Sequence, residues 1–97
     1  MAKGYWVVAY RSVSDPGKLA AYGKLAAPAI TSAGGRFLVR GGQVTPHEVG
    51  QNERTVVVEF PSYSDALAAH ESPAYQEALV ALDGGAERDL RITEGVE

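Results

Sequence analysis

The first predicted strand, Gly4–Val13, carries apolar side chains on both of its faces. The apolar residues alternate in the sequence: Tyr5, Val7 and Ala9 fall on one face, and Trp6, Val8 and Tyr10 fall on the other. A strand with one solvent-exposed face alternates apolar with polar residues instead. We therefore expect this strand to be covered on both sides.

A helix is predicted to follow the first strand. Asp15 is placed to cap its first turn, and Pro16 suits the first helical position because its missing N–H would be unpaired there in any case. Gly34-Gly35 is expected to end the helix. Between these ends Pro28 removes one backbone hydrogen bond, so the pattern predicts a kink or a break at that residue.

The rest of the chain repeats this order of strand and helix. Further strands are predicted over Arg36 to about Val44, Arg54–Phe60 and roughly Glu87–Val96, and further helices over Ala66 to about Glu71 and Ser72–Leu82. The resulting order, strand-helix-strand twice, is that of the ferredoxin-like βαββαβ plait, an α+β fold with a four-stranded antiparallel sheet and helices on one face. Its 97 residues are predicted to form one domain, residues 1–97.

The sheet face opposite the helices is predicted to be apolar. In the plait the first and third strands are central, and each has apolar residues on both faces, including Val57 on the third. Such a patch is unusual on a monomer, and covering it is worth several kcal/mol at ~25 cal/mol per Å². We therefore expect a homodimer with its sheet faces opposed, as in a dimeric α+β barrel.

Composition narrows the possible chemistry. The chain has no cysteine, which excludes disulfides, thiolate metal sites and cysteine nucleophiles. The net charge is −3 with no run of basic residues, so no nucleic-acid partner is expected. No apolar run approaches the ~20 residues of a membrane span. We expect a cytoplasmic protein without a membrane partner, a metal or a cofactor.

The segment GGRFLVRGG, residues 34–42, raises the first question of function. Strict alternation places Arg36 and Arg40 on one face of this strand and Phe37 and Val39 on the other, beneath the helices. The glycine pairs are typical of a helix end and of a bulge or sharp bend. The arginines are candidates for anion binding near the mouth of a barrel.

Glu59 raises the second question, because it interrupts an apolar run on a predicted central strand. A buried carboxylate needs a partner, and Arg40 on the neighbouring strand is the expected one. Whether the two side chains share a face depends on the bulge at Gly41-Gly42, whose position the sequence does not fix. The pair has two interpretations: an ion pair that fixes strand register or dimer geometry, or a ligand clamp in which Arg40 holds an anion and Glu59 handles a proton.

Six short motifs spread over the chain support a family resemblance. They are Gly4-Tyr5-Trp6, Asp15-Pro16, Gly34-Gly35-Arg36-Phe37-Leu38-Val39-Arg40-Gly41-Gly42, Val58-Glu59-Phe60-Pro61-Ser62, Ser72-Pro73-Ala74-Tyr75-Gln76 and Glu94-Gly95-Val96. With these motifs the chain resembles domain-of-unknown-function family 1330, which belongs to the dimeric α+β barrel superfamily. The resemblance implies a dimeric barrel but no established reaction, because the superfamily includes cofactor-free monooxygenases, haem-degrading enzymes and stress-response barrels.

Two functional hypotheses follow. In the first, the barrel interior binds a small, partly apolar anion, and the protein is a binding protein or a cofactor-free enzyme. The candidate ligand-binding residues are Arg40, Glu59, Trp6, Tyr22 and His47. In the second, the protein is a non-catalytic homodimeric module whose Arg-Glu pair is structural.

Overall fold

The structure is a computed structural model that describes residues 2–97. Its elements, in chain order, are β1 (Gly4–Val13), α1 (Pro16–Ser32), β2 (Arg36–Arg40), β3 (Thr55–Phe60), α2 (Tyr63–Glu71), α3 (Pro73–Leu82) and β4 (Ala86–Glu94). The four strands form one antiparallel sheet in the order β2-β3-β1-β4. This is the predicted ferredoxin-like arrangement, with β1 and β3 at its centre.

Helices α1 and α2 each begin after a capping residue, and the cap predicted for α1 at Asp15 is confirmed. The Asp15 carboxylate accepts a hydrogen bond from the Lys18 backbone N–H at 3.1 Å, and Pro16 occupies the first turn of α1. The Ser62 hydroxyl likewise accepts from the backbone N–H of Asp65 at 3.1 Å. Each contact satisfies a backbone donor that a helix leaves free at its N-terminus.

The core lies between the helices and one face of the sheet. The largest of its fully buried side chains are Trp6, Val58, Phe60 and Tyr75, each at most 1 % exposed. The indole N–H of Trp6 donates to the carbonyl oxygen of Ala66 at 2.9 Å, so this polar group is paired inside the core. Even-numbered positions of β3, and of β1 as far as Tyr10, therefore point toward the helices, and the odd-numbered positions between them point away.

The face away from the helices, called here the open face, is partly apolar. Tyr5, Val7 and Val57 lie on it at the centre of the sheet, and all three are half-buried within the single chain. None of the helices in the described part of the chain has the length and apolar character needed to cross a bilayer.

Three features of the elements differ from the prediction, and the first is that α2 begins at Tyr63 rather than at Ala66. Helix α1 runs through Pro28 without a break. Pro28 and Lys24 lie on the exposed side of the helix, so water can bind the Lys24 carbonyl that Pro28 leaves without an N–H donor. Strand β2 ends at Arg40 rather than near Val44, because Gly41 takes a positive φ of 71° and turns the chain out of the sheet.

Candidate functional site

A cavity of about 320 Å³ lies between α1 and the helix-facing side of the sheet. Its sheet wall includes Val8, Val56 and Val58 from the two central strands, and its helix wall includes Ala26 and Ile30 from α1. The small alanine residues of α1 leave this space open, because they fill little of the gap between helix and sheet. The aromatic residues in the lining are Trp6, Tyr10, Tyr22 and Phe37.

Three arginines also line this cavity, and they come from three different parts of the sheet. Arg40 ends β2, Arg54 immediately precedes β3, and Arg88 lies in β4. The backbone pairing explains why they meet: Arg88 lies opposite Tyr10, and the Tyr10 backbone N–H donates to the Arg54 carbonyl oxygen at 3.0 Å. Arg54 and Arg88 therefore flank Tyr10 across neighbouring strands.

These three cations have no acidic partner within the described part of the chain. No ion pair there joins any of them to a carboxylate, and none of the described lining residues is Asp or Glu. The concentration of positive charge is local, because the whole chain has a net charge of −3. Unpaired guanidinium groups at an apolar cavity favour an anion that is apolar elsewhere.

Arg88 is the most enclosed of the three arginines. It is half-buried, and its guanidinium carbon lies 4.9 Å from the centre of the Tyr22 ring and 5.7 Å from that of Tyr10. One of its N–H groups donates to the Tyr22 hydroxyl at 3.0 Å. The Tyr22 hydroxyl is in turn 2.8 Å from that of the buried Tyr75. Burial raises the pKa of Tyr22, so its phenol stays protonated at neutral pH.

Arg40 and Arg54 lie at the β2 side of the cavity and are exposed. The Arg40 guanidinium stacks on the Phe37 ring at 4.4 Å from its centre. The Arg54 guanidinium lies against the Gly41 backbone and fills the space that a side chain at Gly41 would need. Both groups can therefore contact solvent and a ligand in the cavity at the same time.

The expected pairing of Arg40 with Glu59 is wrong, because Glu59 lies opposite Arg36 in the pairing of β2 with β3, whereas Arg40 lies opposite Val56. Strand β2 also contains a β-bulge. Phe37 lies opposite Val58 and Val39 opposite Val57, so Leu38 is an extra residue in β2. Beyond the bulge, the residues of β2 face the opposite side of the sheet from the one that strict alternation predicts. Arg40 therefore points to the helix side, and Val39 points to the open face rather than beneath the helices.

Glu59 lies on the open face, away from the cavity. Its carboxylate is 3.7 Å from the Arg36 guanidinium and accepts a hydrogen bond from the Tyr5 hydroxyl at 3.2 Å. Burial, followed by the hydrogen bond to Glu59, raises the pKa of Tyr5. The carboxylate is therefore partnered where it sits, and it cannot assist a ligand beside Arg40.

His47 is also absent from the cavity lining. It is exposed in the loop between β2 and β3. The cavity thus brings together Trp6, Tyr22 and Arg40 of the five candidates. Among the described residues, no group of three or more His, Cys, Asp or Glu side chains could hold a metal ion.

Arg54, Arg88 and Tyr10 line the cavity but were not among the candidates predicted from the sequence. A signal for the two arginines was present, because Arg54 is two residues before Val56 and Arg88 is two residues before Leu90. Residues two apart on a strand share a face, so both arginines belong to the helix side. The hydrogen bond between Tyr22 and Tyr75 has no such signal, since 53 positions separate them.

The four-stranded sheet, covered by helices on one face, defines a ferredoxin-like α+β protein with a basic, aromatic cavity. The chain belongs to the DUF1330 family, a domain of unknown function, whose family model matches residues 3–96. A search of the curated proteins gives no match.

Solved structures share the fold. A protein of unknown function from Rhodopseudomonas palustris, RPA0582, is 19% identical with a TM-score of 0.74, covering 99% of this chain and 84% of its own. The hypothetical Arabidopsis thaliana protein At3g17210 is 15% identical with a TM-score of 0.63, covering 99% and 88%. A dimeric ferredoxin-like protein of unknown function from Thermobifida fusca is 11% identical with a TM-score of 0.54, covering 98% and 92%. These identities support the fold alone.

Proposed function

We propose that this protein binds a small, partly apolar anion in the cavity between α1 and the sheet. The observation that carries the proposal is the set of three arginines, Arg40, Arg54 and Arg88, which line this cavity without a carboxylate partner in the described part of the chain. Their charges repel one another, and a bound anion relieves that repulsion. The surrounding aromatic and aliphatic walls suit an apolar ligand body.

The proposal is a binding role rather than acid–base catalysis. The described lining holds neither a carboxylate nor an imidazole that would accept a proton, and Glu59 lies on the other face of the sheet. Tyr22 keeps its proton at neutral pH because burial raises its pKa. These groups can orient and neutralise an anion, which is what a binding protein requires.

A thermal-shift screen with small carboxylates and phenols, followed by calorimetry with sodium benzoate, tests this role. Arg88→Ala should weaken benzoate binding by roughly 10- to 100-fold, because Arg88 is half-buried. Arg40→Ala and Arg54→Ala should weaken it by about two- to fivefold each, because exposed charges contribute less.

Arg36→Ala is the matched control for these variants. Arg36 lies on the same strand as Arg40 but pairs with Glu59 on the open face. Its removal should leave benzoate affinity unchanged. Equal losses in Arg36→Ala and Arg88→Ala, or no ligand-dependent shift in the wild type, would contradict a site in the cavity.

A second proposed role, as a homodimeric assembly module, is favoured by the open face. Tyr5, Val7 and Val57 offer an apolar centre there, and Glu59 with Arg36 offers a polar pair beside it. The Thermobifida fusca protein of similar fold is described as dimeric. We propose that two copies pack with their open faces opposed.

Sedimentation at micromolar concentration tests the dimer. The wild type should sediment as a dimer, and Val57→Lys should sediment as a monomer because it places a charge at the centre of the open face. Val80→Lys is the control, because Val80 lies on α3 and is 78% exposed. A monomeric wild type would refute this proposal and leave the cavity proposal intact.

A further inference from the structure

We propose that Tyr22 and Arg88 form a two-donor site for one anionic oxygen of the ligand, and that Tyr75 is the positioning residue that keeps the Tyr22 proton available. This inference rests on the proposed function, since it concerns the same cavity. It assigns the ligand class more narrowly: an oxyanion, as in a carboxylate or a phenolate, attached to an apolar body.

Three polar groups, those of Arg88, Tyr22 and Tyr75, meet at this end of the cavity. An Arg88 N–H donates to the Tyr22 oxygen at 3.0 Å, and the hydroxyls of Tyr22 and Tyr75 lie 2.8 Å apart. The distance alone allows either hydroxyl to be the donor. Burial and the available partners decide between the two directions.

Tyr75 must be the donor because its proton has only one acceptor. Tyr75 is 0% exposed, and among the described residues the Tyr22 oxygen is the one acceptor for its hydroxyl proton, because its other neighbour, Arg88, can only donate. If Tyr22 donated to Tyr75, the Tyr75 proton would be buried without an acceptor. Leaving a buried donor unpaired costs more than a typical hydrogen bond gains. The favoured network therefore runs from Tyr75 to Tyr22.

The Tyr22 oxygen then accepts two hydrogen bonds, from Arg88 and from Tyr75, and its own proton has no protein acceptor. Tyr22 and Arg88 line the cavity, whereas Tyr75 lies behind Tyr22 and does not. The free proton is therefore available to the cavity. Burial keeps this phenol neutral by raising its pKa, so the proton is present at neutral pH.

Arg88 supplies the second donor to the same place. A guanidinium has five N–H groups, and the bond to Tyr22 uses one of them. The Tyr10 and Tyr22 rings, whose centres lie 5.7 and 4.9 Å from the guanidinium carbon, hold the Arg88 side chain at this end of the cavity. A phenol proton and a cationic N–H that converge on one point suit an oxygen with negative charge and reject a ligand group that is itself only a donor.

Calorimetric titration with two probes tests the inference: sodium benzoate for carboxylates and 4-nitrophenolate for phenolates. Tyr22→Phe keeps the ring and removes the donor, so it should weaken whichever probe binds by roughly 10- to 100-fold. Benzamide has the shape of benzoate without its charge. It should bind the wild type and Tyr22→Phe with similarly low affinity.

A double-mutant cycle tests the positioning role of Tyr75. Tyr75→Phe should weaken benzoate binding by itself, because the Tyr22 O–H bond is then free to rotate away from the ligand. In the Tyr22→Phe background, Tyr75→Phe should weaken binding no further, since no proton remains to be positioned. A purely structural role would produce the same loss in both backgrounds.

The outcomes separate this inference from the proposed function. If benzoate binding depends on Arg40 and Arg54 but Tyr22→Phe leaves it unchanged, the two-donor site is wrong and the anion cavity remains. If neither probe binds the wild type at millimolar concentration, both are wrong. Thermal unfolding checks each variant for folding. If Tyr22→Phe does not fold, Tyr75→Phe alone decides, because unchanged benzoate affinity in that variant would refute the positioning role of Tyr75.

Discussion

Replacement of Gly41 by alanine tests how the backbone at the end of β2 builds the cavity. Gly41 has a φ of 71°, in the left-handed region that side chains disfavour. The Arg54 guanidinium lies where the new methyl group would stand. Gly41→Ala should therefore strain the backbone and displace one of the three cavity arginines.

The expected loss of stability is about 1 kcal/mol. The left-handed conformation costs a non-glycine residue roughly 1–2 kcal/mol, and the reduced freedom of the unfolded chain offsets about 0.4–1 kcal/mol of this. The contact with Arg54 adds little, because the end of that flexible side chain can move away. For a domain of this size, 1 kcal/mol lowers Tm by roughly 4–8 °C.

Gly42→Ala is the matched control. Gly42 has no heavy atom within 4 Å of an added Cβ, and its φ is not in the positive region. Thermal unfolding by circular dichroism should show a lower Tm for Gly41→Ala only, and calorimetry should show weaker benzoate binding for that variant only. Equal Tm and equal affinity in the two variants would refute the role assigned to Gly41 and Arg54.

Three further predictions concern the scaffold. Trp6→Phe replaces the buried indole by a smaller ring and leaves the Ala66 carbonyl without its donor. Urea denaturation should therefore show a free energy of unfolding lower by about 2–3 kcal/mol, and a decrease below about 1 kcal/mol would contradict the packing described. Ser72→Ala removes the N-cap of α3 and should cost about 0.5–2 kcal/mol in the same assay; no loss would contradict the cap. The hydrogen bond from Lys18, at 2.9 Å, lowers the pKa of Asp83, so the stability it contributes is present at neutral pH and lost as the pH falls through that lowered pKa. Asp83→Asn should therefore lower Tm at neutral pH but not in strong acid, and an equal difference at both pH values would contradict this pairing.

The fold was predictable because its signals are local and repeat along the chain. Apolar residues on both faces of β1, together with a proline at the first turn of α1 and of α3, give the order and type of the main elements. The glycine pair after α1 was also informative, since Gly34 takes a positive φ of 94° where the helix ends. Each of these signals depends on residues close together in sequence.

The candidate site was only partly predictable, because its geometry depends on one extra residue. Strict alternation from Arg36 places Arg40 on the open face, whereas the bulge at Leu38 moves it to the cavity. Nothing in the residues around Leu38 specifies which of them is left unpaired. The bulge depends on how β2 pairs with β3, which is a tertiary contact. The partner of Glu59 is Arg36 rather than Arg40 because Arg36 lies directly opposite it in the pairing of β2 with β3.

A crystal structure with 4-bromobenzoate tests the central claim most directly, because anomalous scattering locates bromine independently of the rest of the ligand. The account predicts one bromine peak in the cavity between α1 and the sheet, with the carboxylate within hydrogen-bond distance of Arg88 and Tyr22. Bromine peaks found only outside this cavity, at a concentration that saturates binding in solution, would contradict the account.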